Sequence, residues 1–236
     1  MIHPDSTLPA AHGIEIRPIA RIRTDFPTKF GIPRQAGLAA GLQGTVVFEP
    51  DYRQDEALRG LGSFSHIWLI WGFSENEGRP WSPTVRPPRL GGNVRMGVFA
   101  TRSPFRPNGL GLSCVRLRSL QKTEDFGTVL LVEGADMTDG TPIYDIKPYL
   151  PYADCHPEAT GGFTDRTAKR TVKVEIPDGV SGRMNTEDLE ALKAVLREDP
   201  RPAYQDDPER TYAFEFGGKH VEFRVEQGIL TVTEIR

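Results

Sequence analysis

The chain has 236 residues and 26.3 kDa, with 38% hydrophobic, 26% charged and 9% aromatic side chains and a formal net charge of -3. That length suits one large domain or a domain with a small appendage, and the balance excludes a disordered tract and a helical membrane protein. Glycine (24) and proline (20) are abundant without a period, which signals many turns and excludes collagen-like sequence.

Residues 1–20 hold no apolar run of signal-peptide or transmembrane length, so a cytoplasmic protein with no membrane attachment is expected. Short runs with β-type alternation or β-branched content follow at residues 14–22, 44–48, 66–73, 96–101, 113–120 and 128–132, nearly all bounded by Gly and Pro. One short helix is predicted over 54–61. Many short strands without alternating long helices predict a mainly β, sheet-built barrel or sandwich and not a doubly wound fold. Residues 153–169 form a polar linker or long excursion, after which a smaller α+β unit begins. There Asn185 caps a helix with Leu189, Leu192, Val195 and Leu196 on one stripe, ended by Pro200 and Pro202. Strands are predicted over 211–216, 220–225 and 229–235, joined by the turns Gly217-Gly218 and Gln227-Gly228.

The net charge conceals an asymmetry. Between Gly78 and Thr123 there is no Asp or Glu, while Arg79, Arg86, Arg89, Arg95, Arg102, Arg106, Arg116, Arg118 and Lys122 give a local charge of +9; the remaining 20 basic and 32 acidic residues leave -12 elsewhere. Eight of the nine are Arg, whose planar fork suits phosphate and carboxylate, so an anionic ligand is expected to meet the protein here. The alternative is a solvated face neutralised by distant acidic segments.

Familiar devices are absent. There is no phosphate-loop motif, Cys114 stands where a dinucleotide fingerprint wants its third Gly after Gly109 and Gly111, and neither a Gly-x-Ser-x-Gly elbow nor His-Glu-x-x-His occurs. Cys114 and Cys155 lack a Cys-x-x-Cys or paired-His context, so free thiols and no metal site are expected. What remains is a set of polar turns. In 102–108, Arg102 and Arg106 flank Pro104 and precede Pro107, Asn108 and Gly109, a rigid anion clamp or a loop whose arginines cap carbonyls. Asp136 follows a hydrophobic strand and is placed to reach a barrel rim; Asp139-Gly140 alone is an ordinary turn. His66 reads as a structural strand histidine or a general base, and Trp81 as a surface aromatic able to stack on a base.

The segments Pro33-Arg-Gln-Ala-Gly37, Phe64-Ser-His-Ile-Trp68, Val85-Arg-Pro-Pro-Arg-Leu-Gly-Gly-Asn93, Gly97-Val-Phe-Ala-Thr-Arg-Ser-Pro-Phe-Arg-Pro-Asn108, Asp139-Gly-Thr-Pro142, Asp145-Ile-Lys-Pro-Tyr-Leu-Pro151 and Asp199-Pro-Arg-Pro-Ala-Tyr204 together resemble the TrmO family, also called TsaA-like or YaeB. The resemblance implies a single-sheeted β-barrel, non-Rossmann catalytic domain over 1–155 and a small α+β domain over 156–236, in a homodimer. It implies S-adenosylmethionine-dependent N6-methylation of N6-threonylcarbamoyladenosine (t6A) at position 37 of tRNA. Carried over by motif, the cofactor-binding residues are Pro33, Arg34, Gln35, Ser74, Glu75, Arg102, Leu112 and Glu133, Gly134, Ala135 and Asp136; Ser74-Glu75 replaces the family's common His-Gln. Arg86, Arg89, Arg95, Arg106, Asn108, Lys147, Tyr149, Arg201 and Tyr204 are the candidate tRNA contacts, and Asp136 or Asp139 the candidate proton acceptor. A non-enzymatic RNA-binding module and a methyltransferase for another small acceptor are the competing readings.

Overall fold

A computed structural model of the chain describes residues 13–167, 171–201 and 207–236. Six antiparallel strands close a barrel in the order β1-β2-β7-β6-β3-β8. They are β1 (Ala20–Thr24), β2 (Gln43–Phe48), β3 (His66–Gly72), β6 (Leu110–Thr123), β7 (Gly127–Glu133) and β8 (Pro142–Pro148), with the two-stranded ribbon β4 (Thr84–Val85) and β5 (Met96–Gly97) inserted between β3 and β6. Alternation sends Ile22, Val46, Ile67, Leu69, Val115, Leu130, Val132 and Ile143 inward, all at most 1% exposed, which is the period-2 pattern a one-sided barrel wall requires. The fold is therefore mainly β and has no doubly wound layer.

A second sheet, β10-β11-β12-β9, is built from β9 (Lys173–Glu175), β10 (Tyr212–Phe216), β11 (Lys219–Glu226) and β12 (Ile229–Ile235). Of the three helices, α1 (Pro151–Asp154) is a single turn whose Asp154 accepts from Trp68 of the barrel, while the single-turn α2 (Asp178–Ser181) and α3 (Thr186–Arg197) pack with this second sheet. Asn185 Oδ1 accepts the Asp188 N–H at 2.9 Å, the expected cap, and Leu192, Val195 and Leu196 face the sheet. This second core is not self-contained: Phe26, Ala39 and Leu42, from the connection between β1 and β2, are buried in it. Phe26 meets Phe216 edge-on with centroids 5.4 Å apart.

Several expectations shift. The first strand starts at Ala20, because Pro18 cannot donate a ladder bond and Ile14 and Ile16 stay exposed. The helix expected over 54–61 is a four-residue 3-10 turn, Asp55–Leu58, cut short before Gly60 at φ +86°. The strand expected over 96–101 ends at Gly97, where the Thr101 hydroxyl donates to the Val98 carbonyl (2.8 Å) and holds a 3-10 turn instead. β8 hid behind its polar Asp145 and Lys147 and its terminal prolines, which sit where ladder donors are not needed.

Phe26→Ala, a change in the barrel's own connection, is expected to destabilise the second core by about 3–5 kcal/mol. Chemical denaturation followed through the C-terminal sheet would check it; an unchanged midpoint would mean that the two units do not share a core.

Candidate functional site

The site begins with a missing side chain. In the β3–β6 register Trp71 faces Gly111, and a Cβ on Gly111 would lie 2.3 Å from the indole Cε2. Glycine thus lets the indole lie across β6, where Trp71 Nε1 donates to Ser113 Oγ at 2.9 Å. Ser113, only 2% exposed, donates in turn to Asp136 Oδ1 at 2.6 Å. Asp136 stands just past the end of β7, and the Ala36 N–H also donates to its carboxylate. Burial pushes its carboxyl above the ordinary carboxylate range, while the Ser113 hydroxyl, the Ala36 and Asp136 amides and the more distant Arg102 charge draw it partly back.

The loop 33–37 seats on the same rim. Gly37 N–H donates to the Gly134 carbonyl at 2.9 Å, and at Gly134, with φ +85°, a Cβ would come within 3.1 Å of the Gly37 Cα. Above it Arg102 Nη1 donates to Gln35 Oε1, the Gln35 amide donates to the Arg34 carbonyl, and Arg34 Nη2 reaches the Arg201 carbonyl at 3.3 Å. Arg34, Gln35, Ser74, Glu75, Arg102 and Asp136 consequently line one cleft of about 1890 Å³ at the barrel mouth. Apolar surface comes from Trp71, Phe73, Ile32 and Leu38. Pro33 and Ala135 are buried beneath this lining, and Glu133 is turned to structural use, with Oε1 accepting the Gly41 N–H at 3.0 Å and Oε2 an Arg118 donor at 3.3 Å.

The basic strip divides. Arg86, Arg89, Arg95 and Arg102 line the cleft, and none of them is held in an ion pair among the described residues. Lys29, Arg34 and Arg201 join them from outside the strip. Arg118 and Lys122, by contrast, pair with Glu133 and Asp55 along β6. Arg106 turns into its own loop, Nη1 donating to the carbonyls of Thr101 (3.1 Å) and Ser103 (3.2 Å), so it caps carbonyls and does not line the cleft.

Other expected site residues lie elsewhere. Asp139 is outside the lining: its carboxylate accepts from Arg23 Nη1 and the Thr24 N–H, both at 3.1 Å, because its turn folds back on β1. Leu112 alternates to the outer barrel wall, 54% exposed, opposite Ile70. Lys147 pairs with Asp145, and Tyr149 packs on His66 and Trp68, again on the outer wall. Asn108 is exposed and outside the lining. Arg201 is buried with Asp199 in a two-bond pair (2.8 and 3.0 Å) at the cleft's far side, and Tyr204 lies outside the described residues. Trp81, half-exposed, is off the cleft; two exposed aromatics line it, Phe105 at 37% and the far more open Phe99 at 75%, and sequence reading passed over Phe99 because it sits inside an apparent strand. No group of His, Cys, Asp and Glu suited to a metal ion occurs among the described residues, and no described helix is long and apolar enough to cross a membrane.

Comparison with known proteins bears on this geometry. The tRNA-methyltransferase O N-terminal domain profile matches residues 21–155, and the TrmO C-terminal domain profile matches 170–236. A tRNA (adenine(37)-N6)-methyltransferase of Escherichia coli (strain K12) is 40% identical over 215 residues, covering 88% of this chain and 91% of that protein. A Pseudomonas aeruginosa relative, RcsF, which carries the name of an S-adenosylmethionine-dependent methyltransferase, is 42% identical over 84% of this chain and 86% of its own length. A crystal structure of TrmO from Pseudomonas aeruginosa superposes with a TM-score of 0.76 at 32% identity, covering 95% of this chain and 100% of that one.

The folded-state pKa of Asp136 lies above its unfolded value of about 3.9, so ionisation opposes folding as pH rises through that interval. Asp136→Asn is therefore expected to raise Tm at pH 7, with the gain vanishing below about pH 3.9. Ser113→Ala, which strands the Trp71 N–H, is expected to cost about 1–3 kcal/mol. Thermal melts of both variants across pH decide it; a lower Tm for Asp136→Asn at pH 7 would mean that the Ser113 bond outweighs burial.

Proposed function

The chain belongs to the tRNA-methyltransferase O family, and from that membership we propose that it transfers a methyl group from S-adenosylmethionine to N6 of adenine 37 in tRNA, with t6A as the acceptor and the doubly modified m6t6A as product. The observation that carries this reading is the convergence of Arg34, Gln35, Arg102 and Asp136 with three further arginines, Arg86, Arg89 and Arg95, in a single cleft. The homodimer and the cytoplasmic location implied by the resemblance belong to the same proposal, as does the division near residue 155. A Leu112 contact to the cofactor would then be made from the outer wall of a second copy, since Leu112 does not line the cleft of its own chain.

The residues present fit the cofactor. Arg34 and Arg102 offer guanidinium forks to a carboxylate, Asp136 offers an acceptor to ammonium or ribose hydroxyls, and Trp71 and Phe73 give apolar surface for a purine. When bound, S-adenosylmethionine supplies an electrophilic methyl group on a sulfonium centre. The protein's main contribution is alignment, because in-line displacement is accelerated chiefly by holding nucleophile and electrophile on one axis. The fixed Trp71–Ser113–Asp136 chain and the Arg102–Gln35–Arg34 chain hold the two sides of the cleft at defined positions. The rim arginines bind the carboxylate of the threonylcarbamoyl group and the loop phosphates. Asp136, whose proton affinity burial has raised, accepts the N6 proton, which the carbamoyl group makes more acidic than in plain adenosine.

The primary test is nucleoside mass spectrometry of threonine tRNA, with and without t6A, incubated with the protein and S-adenosylmethionine. One added methyl on the t6A nucleoside alone is expected; methylation of the unmodified control would remove t6A as the required acceptor. No transfer with cofactor binding intact would point to another acceptor, and neither would leave an RNA-binding module.

The electrostatic half has its own check. Charge reversal Arg86→Glu is expected to weaken tRNA binding and reduce its salt dependence while leaving cofactor affinity unchanged. Equal loss of both affinities in filter binding and calorimetry would place Arg86 in the cofactor site.

A further inference from the structure

Phe99 is 75% exposed and lines the cleft, so its ring offers apolar surface whose burial a ligand in the cleft would gain. Its backbone is pinned on both sides. Before it, Val98 is 1% exposed, and its N–H donates to the Pro83 carbonyl at 3.0 Å, extending the ladder of β4 and β5. After it, the Thr101 hydroxyl closes the turn onto Val98, and Arg106 Nη1 grips the Thr101 and Ser103 carbonyls. Phe99 makes no ring contact with another aromatic among the described residues. A bare ring on a fixed loop has its ordering entropy already spent before a ligand arrives.

Its charged surroundings select the ligand. Arg86 and Arg95 stand one step outside the Val85–Met96 pair of the same ribbon, Arg95 Nη1 donating to Thr84 Oγ1 at 2.8 Å, and Arg102 follows three residues after Phe99. All of them line the cleft that Phe99 lines. An exposed aromatic face among un-neutralised arginines is the combination that holds unpaired nucleic acid, the cations tracking phosphate and the ring stacking a base. We infer that Phe99 is the platform on which a nucleobase of the tRNA anticodon loop stacks. The inference rests on the tRNA reading above and adds to it the residue that receives the base.

The test uses the full-length protein, a t6A-bearing anticodon stem-loop, and Phe99→Ala, Phe99→Leu and Phe99→Tyr. Phe99→Ala is expected to weaken stem-loop binding by about tenfold or more, with Tyr restoring it and Leu failing to. Cofactor affinity by calorimetry, Tm and the salt slope of binding are expected to stay at wild-type values, because no phosphate contact is removed. Wild-type affinity in Phe99→Ala, or equal rescue by Leu, would overturn the inference. Loss of cofactor affinity with RNA binding retained would assign the ring to the cofactor's adenine, and a changed oligomeric state on sedimentation would assign it to a protein interface; either overturns it. Wild-type protein that methylates tRNA while Phe99→Ala binds normally removes only this inference, whereas wild-type protein that binds the stem-loop through Phe99 without methyl transfer removes only the enzymatic reading.

Discussion

The indole of Trp71 can reach Ser113 only because Gly111 has no Cβ, and from that absence the geometry of the barrel mouth follows. A buried hydroxyl held by an N–H has its own proton free to donate, and Ser113 spends it on Asp136. The carboxylate is thereby fixed in place without a cation being packed against it. It can be both anchored and hard to ionise, a combination that a salt bridge would have prevented.

The opposite wall is organised by charge. Four arginines of one acid-free stretch line the cleft, and two other cations of the same stretch are matched along β6 with Glu133 and Asp55. The difference is topological. β6 runs beside β7, whose Glu133 lies opposite Arg116 in the register, so cations there meet acids; the ribbon inserted between β3 and β6 forms a two-stranded sheet of its own, and its flanking Arg86 and Arg95 make no ion pair among the described residues. Arg106 shows the third use of the same side chain, as an internal clip for loop carbonyls.

The barrel strands with strict alternation, 44–48 and 66–73, and the capped helix after Asn185 were legible because period and cap are local signals. β8 was not, since its residues are polar on one face and proline-ended, and its strand character comes from pairing with β1 and β3 across the closure. The fate of Arg106 and Asp139 was equally hidden. Sequence shows that a residue can clasp an anion or hold a proton, but whether it does depends on partners such as Thr101, Arg23 and Thr24 that only the fold supplies. Phe99 was masked by its apolar neighbours, which suggested a strand where the backbone makes a turn.

Phe26, Ala39 and Leu42 sit in the second core although they belong to the barrel's first connection, and the loop between them bears Arg34 and Gln35. During synthesis that connection leaves the ribosome long before α3 and β10 to β12, the elements that will cover its hydrophobic face. The barrel strands and their bonds to this loop, Gly37 to Gly134 and Gln35 to Arg102, can form before β10 to β12 emerge, yet Phe26, Ala39 and Leu42 on the loop's flanks stay uncovered until then. A nascent chain therefore holds the centre of the clasp from the barrel side first, and gains the packing that steadies its two flanks only when the second core closes over them.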